Sequence, residues 1–101
     1  MVKHIVCFQF LEEGDGRTKV ENLQIAKEML ERLFETVPTL KAMAVHMNDE
    51  RASAGNFDMI LEAEYESWED LNAYVVHPEH KKVGQFMAKV RKSRASVDYE
   101  F

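Results

Sequence analysis

Apolar and polar residues alternate from Val2 to Leu11. Val2, His4, Val6, Phe8 and Phe10 fall on one side, and Lys3, Ile5, Cys7, Gln9 and Leu11 on the other. A period of two is that of a β-strand, in which successive side chains point to opposite faces. The polar run Glu12 to Gly16 breaks this strand. Thr18-Lys19-Val20-Glu21 has the spacing of a capping box, in which hydroxyl and carboxylate satisfy each other's free backbone donors, so a helix begins there. Its apolar stripe is Leu23, Ala26, Leu30, Leu33, Phe34 and Val37, and Pro38, which cannot continue a helix, stops it.

The second half repeats the order. Leu40 to Asn48 alternates again, with Met43, Val45 and Met47 opposite Ala42, Ala44 and His46, and Asn48 to Gly55 reads as a loop. Asn56 to Tyr65 is a third strand carrying Phe57, Met59, Leu61, Ala63 and Tyr65 on one face. Ser67 caps a helix whose Trp68, Leu71, Tyr74 and Val75 are read as inward, helped by Glu69 and Asp70 at its positive end. Pro78 ends it and opens a further helix capped by His77, with Val83, Phe86, Met87 and Val90 as its stripe. Arg94 to Phe101 is the last strand.

This βαββαβ order predicts an α+β fold of ferredoxin-like type, a four-stranded antiparallel sheet with its helices on one face. The other face is mixed: Ile5, Cys7 and Ile60 lie beside Gln9, Asp58 and Glu62, and periodicity leaves open whether it meets water or a second subunit. A chain of 101 residues has room for one core, so residues 1–101 are expected to form one domain. Thirteen Lys and Arg against eighteen Asp and Glu give a net charge of -5, which disfavours nucleic acid as a partner. No apolar run approaches the roughly 18 residues of a membrane span. The Val2–Leu11 stretch is too short and too interrupted for a signal peptide. With a single cysteine, Cys7, the expectation is a reduced, cytoplasmic protein without disulfide or membrane partner.

An ordered set of short segments is recognisable. Val2-Lys3-His4-Ile5-Val6, Pro38-Thr39-Leu40-Lys41, Phe57-Asp58, Tyr65-Glu66-Ser67, Leu71-Asn72-Ala73-Tyr74, His77-Pro78-Glu79-His80 and Val97-Asp98-Tyr99 together resemble the stress-responsive A/B barrel (Dabb) family over the whole chain. The most telling part is Tyr74-x-x-His77-Pro78-x-His80. The resemblance implies a homodimer in which two sheets pack face to face into an α/β barrel. It also implies functions ranging from stress-induced proteins to enzymes that use no cofactor and act on polyketide-like substrates. In enzymatic members the second His of the motif is the general base and the Tyr orients or activates the substrate, which places those catalytic roles on His80 and Tyr74.

The residues themselves point to one cavity. His80 shares its helical face with Val83 and Met87, His4 lies on the strand face of Val6 and Phe8, and Tyr74 is on an inner stripe. His4, Tyr74 and His80 are therefore expected above the sheet, walled by Val6, Phe8, Leu30, Leu61, Val83 and Met87. An imidazole and a phenol in an apolar setting suit proton transfer on a carbonyl compound. The competing reading makes them structural, buried and satisfied by neighbours, and His77 is assigned to capping. To the cavity the inner face of the third strand is expected to offer only Met59 and Leu61, so few polar groups are foreseen there to orient a substrate.

Other motifs carry less. His77 and His80 have a spacing seen in helical metal sites, but no third ligand is placed by sequence, and no metal is expected. Cys7 lies on the opposite strand face from His4, which excludes a Cys–His nucleophile pair. Lys81, Lys82, Lys89, Arg91, Lys92 and Arg94 read as the solvated face of a helix, with a basic rim that draws an anion to the cavity as the alternative. Gly14 and Gly16 lack the remainder of any phosphate-binding loop. Six methionines fit an adaptable core or a forgiving cavity. Two functions survive: a homodimer holding a hydrophobic small molecule, and an acid/base enzyme acting on a carbonyl substrate.

Overall fold

A computed structural model describes residues 1–101. The elements in chain order are β1 (Val2–Phe10), β2 (Glu13–Gly14), β3 (Arg17–Thr18), α1 (Lys19–Thr36), β4 (Ala42–Met47), β5 (Met59–Tyr65), α2 (Trp68–Val76), α3 (Pro78–Val90) and β6 (Arg91–Glu100). The four long strands form a sheet in the order β4-β5-β1-β6, and every neighbouring pair is antiparallel. This is the ferredoxin-like split arrangement, with three helices on one face. No helix is long and apolar enough to cross a membrane.

The core lies between that sheet face and the helices. Val2, Val6, Phe8 and Phe10 of β1, Val45 of β4 and Met59, Leu61, Ala63 and Tyr65 of β5 are buried against Ala26, Leu30 and Leu33 of α1, Leu71 and Tyr74 of α2, and Val83, Met87 and Val90 of α3. The capping box of α1 is formed, with Thr18 Oγ1 accepting from the Glu21 N–H at 3.3 Å and Glu21 Oε1 accepting from the Thr18 N–H at 3.0 Å. At α3, His77 Nδ1 accepts from the Glu79 N–H at 3.1 Å, and Pro78 takes the first turn, where a missing N–H costs nothing.

Four expectations are corrected. The break after β1 contains the small β2–β3 hairpin, turned by Asp15 and Gly16, both at positive φ, the pairing that suits a tight hairpin twist. Its anchor is Asn22, fully buried in α1, whose Nδ2 donates to the Gly14 carbonyl at 2.9 Å while its Oδ1 accepts from Arg17 Nε at 2.9 Å. Phe34, Trp68 and Val75 are exposed rather than inward, because each lies at the margin of its helical stripe; the Trp68 indole N–H donates to Glu100 instead. The third strand starts at Met59, since Asp58 is occupied at the loop end: its N–H donates to the Phe8 carbonyl and its carboxylate accepts from the Phe10 N–H. The last strand starts at Arg91, directly from α3, with the Leu11 N–H held on the Val90 carbonyl at 2.9 Å.

Candidate functional site

Between the sheet and α1, α2 and α3 lies a cavity of about 390 Å³, within the usual range for small-molecule sites. His80, Tyr74 and His4 all line it. So do Val6, Phe8, Leu30, Leu61, Val83 and Met87. A larger but shallower hollow of about 630 Å³, beside Cys7, His46 and Phe57, opens on the opposite sheet face and gathers no comparable polar cluster.

Each imidazole is oriented by its Nδ1. The Nδ1 of His80, in the first turn of α3, lies 3.0 Å from the Val75 carbonyl oxygen. A carbonyl only accepts, so this nitrogen carries the proton and Nε2 keeps its lone pair. His4, which is 8% exposed, places its Nδ1 2.5 Å from Asp98 Oδ1; the carboxylate fixes the same tautomer there. His80 is held below the ordinary imidazole value of 6.5, first by burial and further by positive charge from His4, Arg94 and His77, against the opposing bond to the Val75 carbonyl. It is a neutral imidazole at pH 7 with an unengaged basic nitrogen.

The phenols complete the cluster. The Tyr74 ring sits 4.4 Å from His80, 6.2 Å from His4 and 5.4 Å from Tyr65, centroid to centroid. Both tyrosines are fully buried, and neither hydroxyl has a hydrogen-bond partner. Burial pushes both phenols well above their ordinary 10.0, helped at Tyr65 by the facing Tyr74 and Asp98. They stay protonated and can only donate or accept hydrogen bonds.

The expected poverty in polar groups is corrected by β6, which adds Arg91, Arg94, Ser96 and Asp98 to the lining; Val75 and Gly84 add a helix edge. Alternation alone would send Arg91 and Arg94 to opposite faces. Instead the ladder pairs Phe10 with Arg91 and Phe8 with Arg94, with a register shift between Gln9 and Phe10. Lys92 is the extra residue of this bulge, and it turns Arg91 to the helix side, where Arg94 already faces by alternation with Ser96 and Asp98. The basic run Lys81–Arg94 is thus divided: Lys81, Lys82 and Lys89 are solvated on α3, and the two arginines belong to the cavity. The available signal was the parity of Asp98, Ser96 and Arg94, which is informative only once the β1 register is known. No three His, Cys, Asp or Glu side chains converge closely enough to hold a metal ion.

Comparisons with known proteins agree with this architecture. A dimeric protein of unknown function with a ferredoxin-like fold from Bacteroides fragilis is 31% identical, with a TM-score of 0.81 over 99% of this chain and 95% of that one. A dimeric ferredoxin-like protein of unknown function from Thermobifida fusca is 25% identical, with a TM-score of 0.83 over 99% and 90% of the two chains. The Arabidopsis thaliana stress-response A/B barrel domain-containing protein DABB1 is 28% identical over 99 residues, 98% of this chain. The chain spans about half (46%) of that relative's length. The model of the Stress Responsive A/B Barrel Domain matches residues 2–101, and with that match, on a βαββαβ sheet carrying the Tyr74-x-x-His77-Pro78-x-His80 segment, the chain belongs to the Dabb family.

Proposed function

We propose that two copies of the chain associate through the helix-free sheet face, and that each holds an apolar small molecule in its own cavity. The observation that carries the binding reading is the 390 Å³ cavity, whose wall is mostly apolar and which the His80 and Tyr74 rings, 4.4 Å apart, line side by side. For the dimer, the register aligns Ile60, Cys7 and Ala95 in one row and Glu62, Ile5 and Val97 in the next, with Val97 and Tyr99 exposed. The relatives described as dimeric support the same arrangement. A cytoplasmic, stress-related role, resting on the lone Cys7 and the family's description, belongs to the same proposal.

1-Octanol is a suitable neutral probe. Titrated against the labelled protein, it should shift the amide and methyl signals of Val83, Leu61 and Met87, and Val83→Trp, which fills the cavity, should abolish those shifts. Unmoved signals in the wild-type protein would remove the binding reading. In light scattering, the wild-type protein should have about twice the 11.8 kDa of one chain, and Val97→Asp should reduce it to one.

A second reading, an enzyme, is favoured by the orientation of His80. Its Nε2 can take a proton from the carbon next to a bound carbonyl; the C–H bond breaks, its electron pair becomes the enolate, and a tyrosine hydroxyl donates a hydrogen bond to the developing oxyanion. The proton on Nε2 exchanges with solvent, and return of a solvent-derived proton from Nε2 to the carbon completes the cycle without any other reactant. Deuterium incorporation into 2-octanone in D₂O, faster with the wild-type protein than with His80→Gln or Tyr74→Phe, would establish it. Equal rates would leave binding alone.

A further inference from the structure

The two arginines are unexplained by an apolar ligand. Neither Arg91 nor Arg94 makes an ion pair, although the chain has five more acidic than basic residues. Arg94 enters the cavity on the regular alternation with Ser96 and Asp98, and Arg91 is brought to the same side by the bulge; a bulge that re-aims a side chain is a built feature rather than a defect. Seven other basic residues each have a carboxylate partner; Arg32, Lys81, Lys89 and Lys92 have none either, but they are exposed and lie outside this cavity. Beyond the two arginines on the same face of β6 comes Asp98, already engaged by His4. Four residues of strand separate Arg94 from Asp98, about 13 Å at the usual rise. The cavity therefore has a cationic end and an imidazole–carboxylate end, with Val6, Phe8 and Met87 between them.

We propose that Arg91 and Arg94 are an anion-recognition site and that the cavity's ligand is an amphipathic carboxylic acid. Its carboxylate pairs with the two guanidiniums, whose planar forks match two oxygens, and its apolar body lies along Val6, Phe8 and Met87. The fixed charges of the lining, Arg91 and Arg94 against Asp98, sum to one positive, so a monoanion neutralises the cavity whereas a phosphate dianion leaves it negative. This inference rests on the cavity being a binding site and adds the chemical class of what it takes.

Three probes of equal chain length separate the claims: 1-octanol, octanoate and octyl phosphate, each titrated calorimetrically at pH 8 and low salt. Octanoate should bind about tenfold or more tighter than 1-octanol, and tighter than octyl phosphate. Arg91→Gln/Arg94→Gln should bring the octanoate-to-octanol ratio close to one, while Lys81→Gln/Lys89→Gln, which removes the same two charges from the exposed face of α3, should leave that ratio unchanged. Octanoate and octanol binding equally, or a preference that survives the double arginine substitution, overturns the anion site but leaves the cavity reading standing. Tighter binding of octyl phosphate overturns the carboxylate assignment. Failure of all three probes to bind overturns both.

Discussion

Strands β1 and β6 lie side by side and are paired along nearly their whole length, yet they do opposite work. Every second residue of β1 is buried. Nothing on β6 is buried, and only Arg91 and Ser93 are even half-buried. The central strand places its side chains between two neighbours and beneath the helices, so its apolar face is fixed by the core. The edge strand has one neighbour and buries none of its side chains, which frees its inward positions to be Arg91, Arg94, Ser96 and Asp98. Chemistry can be placed on an edge strand at little cost to stability, because the core does not depend on it.

The largest effect that would break this comparison is in stability. Phe10 is 2% exposed, and Phe10→Ala should cost about 3–5 kcal/mol in chemical denaturation. Ser96→Ala on β6 should change stability by less than about 0.5 kcal/mol. Similar costs at the two sites would mean that β6 is part of the core after all.

An intermediate effect tests the one link by which the strands share a site. His4 on β1 and Asp98 on β6 should show a coupling of about 1 kcal/mol in a double-mutant cycle of His4→Gln and Asp98→Asn, toward the low end for a charged hydrogen bond because the Asp98 side chain is 36% exposed. Zero coupling would leave the two groups neighbours without a functional connection.

The contrast between the strands also explains what could be read from the sequence. The alternation in β1, the capping box at Thr18 and the His77-Pro78 junction are local signals, each contained in a few adjacent residues, and each formed as read. The apolar wall and the three aromatic site residues follow from the same periodicity. Asp98, Arg91 and Arg94 could not be placed that way: exposed strands alternate polar with polar, the face of Arg94 and Asp98 follows only from the β1 register, and that of Arg91 depends on a bulge defined by the same pairing, nearly the length of the chain away. Asn22 was hidden for a similar reason, since its partners, Gly14 and Arg17, belong to a hairpin too short to have a hydrophobic period. Phe34, Trp68 and Val75 show the reverse error, apolar residues at a stripe's edge that the core does not reach.

A smaller effect lies in pH. Burial holds His80 below its ordinary value of 6.5, so as pH falls the unfolded chain binds a proton at this group before the folded one does. Its contribution to stability is present above about pH 6.5 and is lost as pH falls below that value toward the depressed folded-state value. His80→Gln should flatten the stability profile in this window alone, measured by urea denaturation between pH 5 and about 7.5. An unchanged profile would mean that His80 is not held neutral by the fold.

The central claim is that His80 offers an unprotonated Nε2 to the cavity while its Nδ1–H is held by the Val75 carbonyl. Long-range ¹H–¹⁵N correlation spectra of the imidazoles, recorded through a pH titration, test it directly. The account predicts the Nδ1–H tautomer for His80 at neutral pH and a titration midpoint below 6.5, with octanoate binding moving that midpoint upward as it neutralises the charge of Arg94. An Nε2–H tautomer, or a midpoint at or above 6.5 in the unliganded protein, would contradict it.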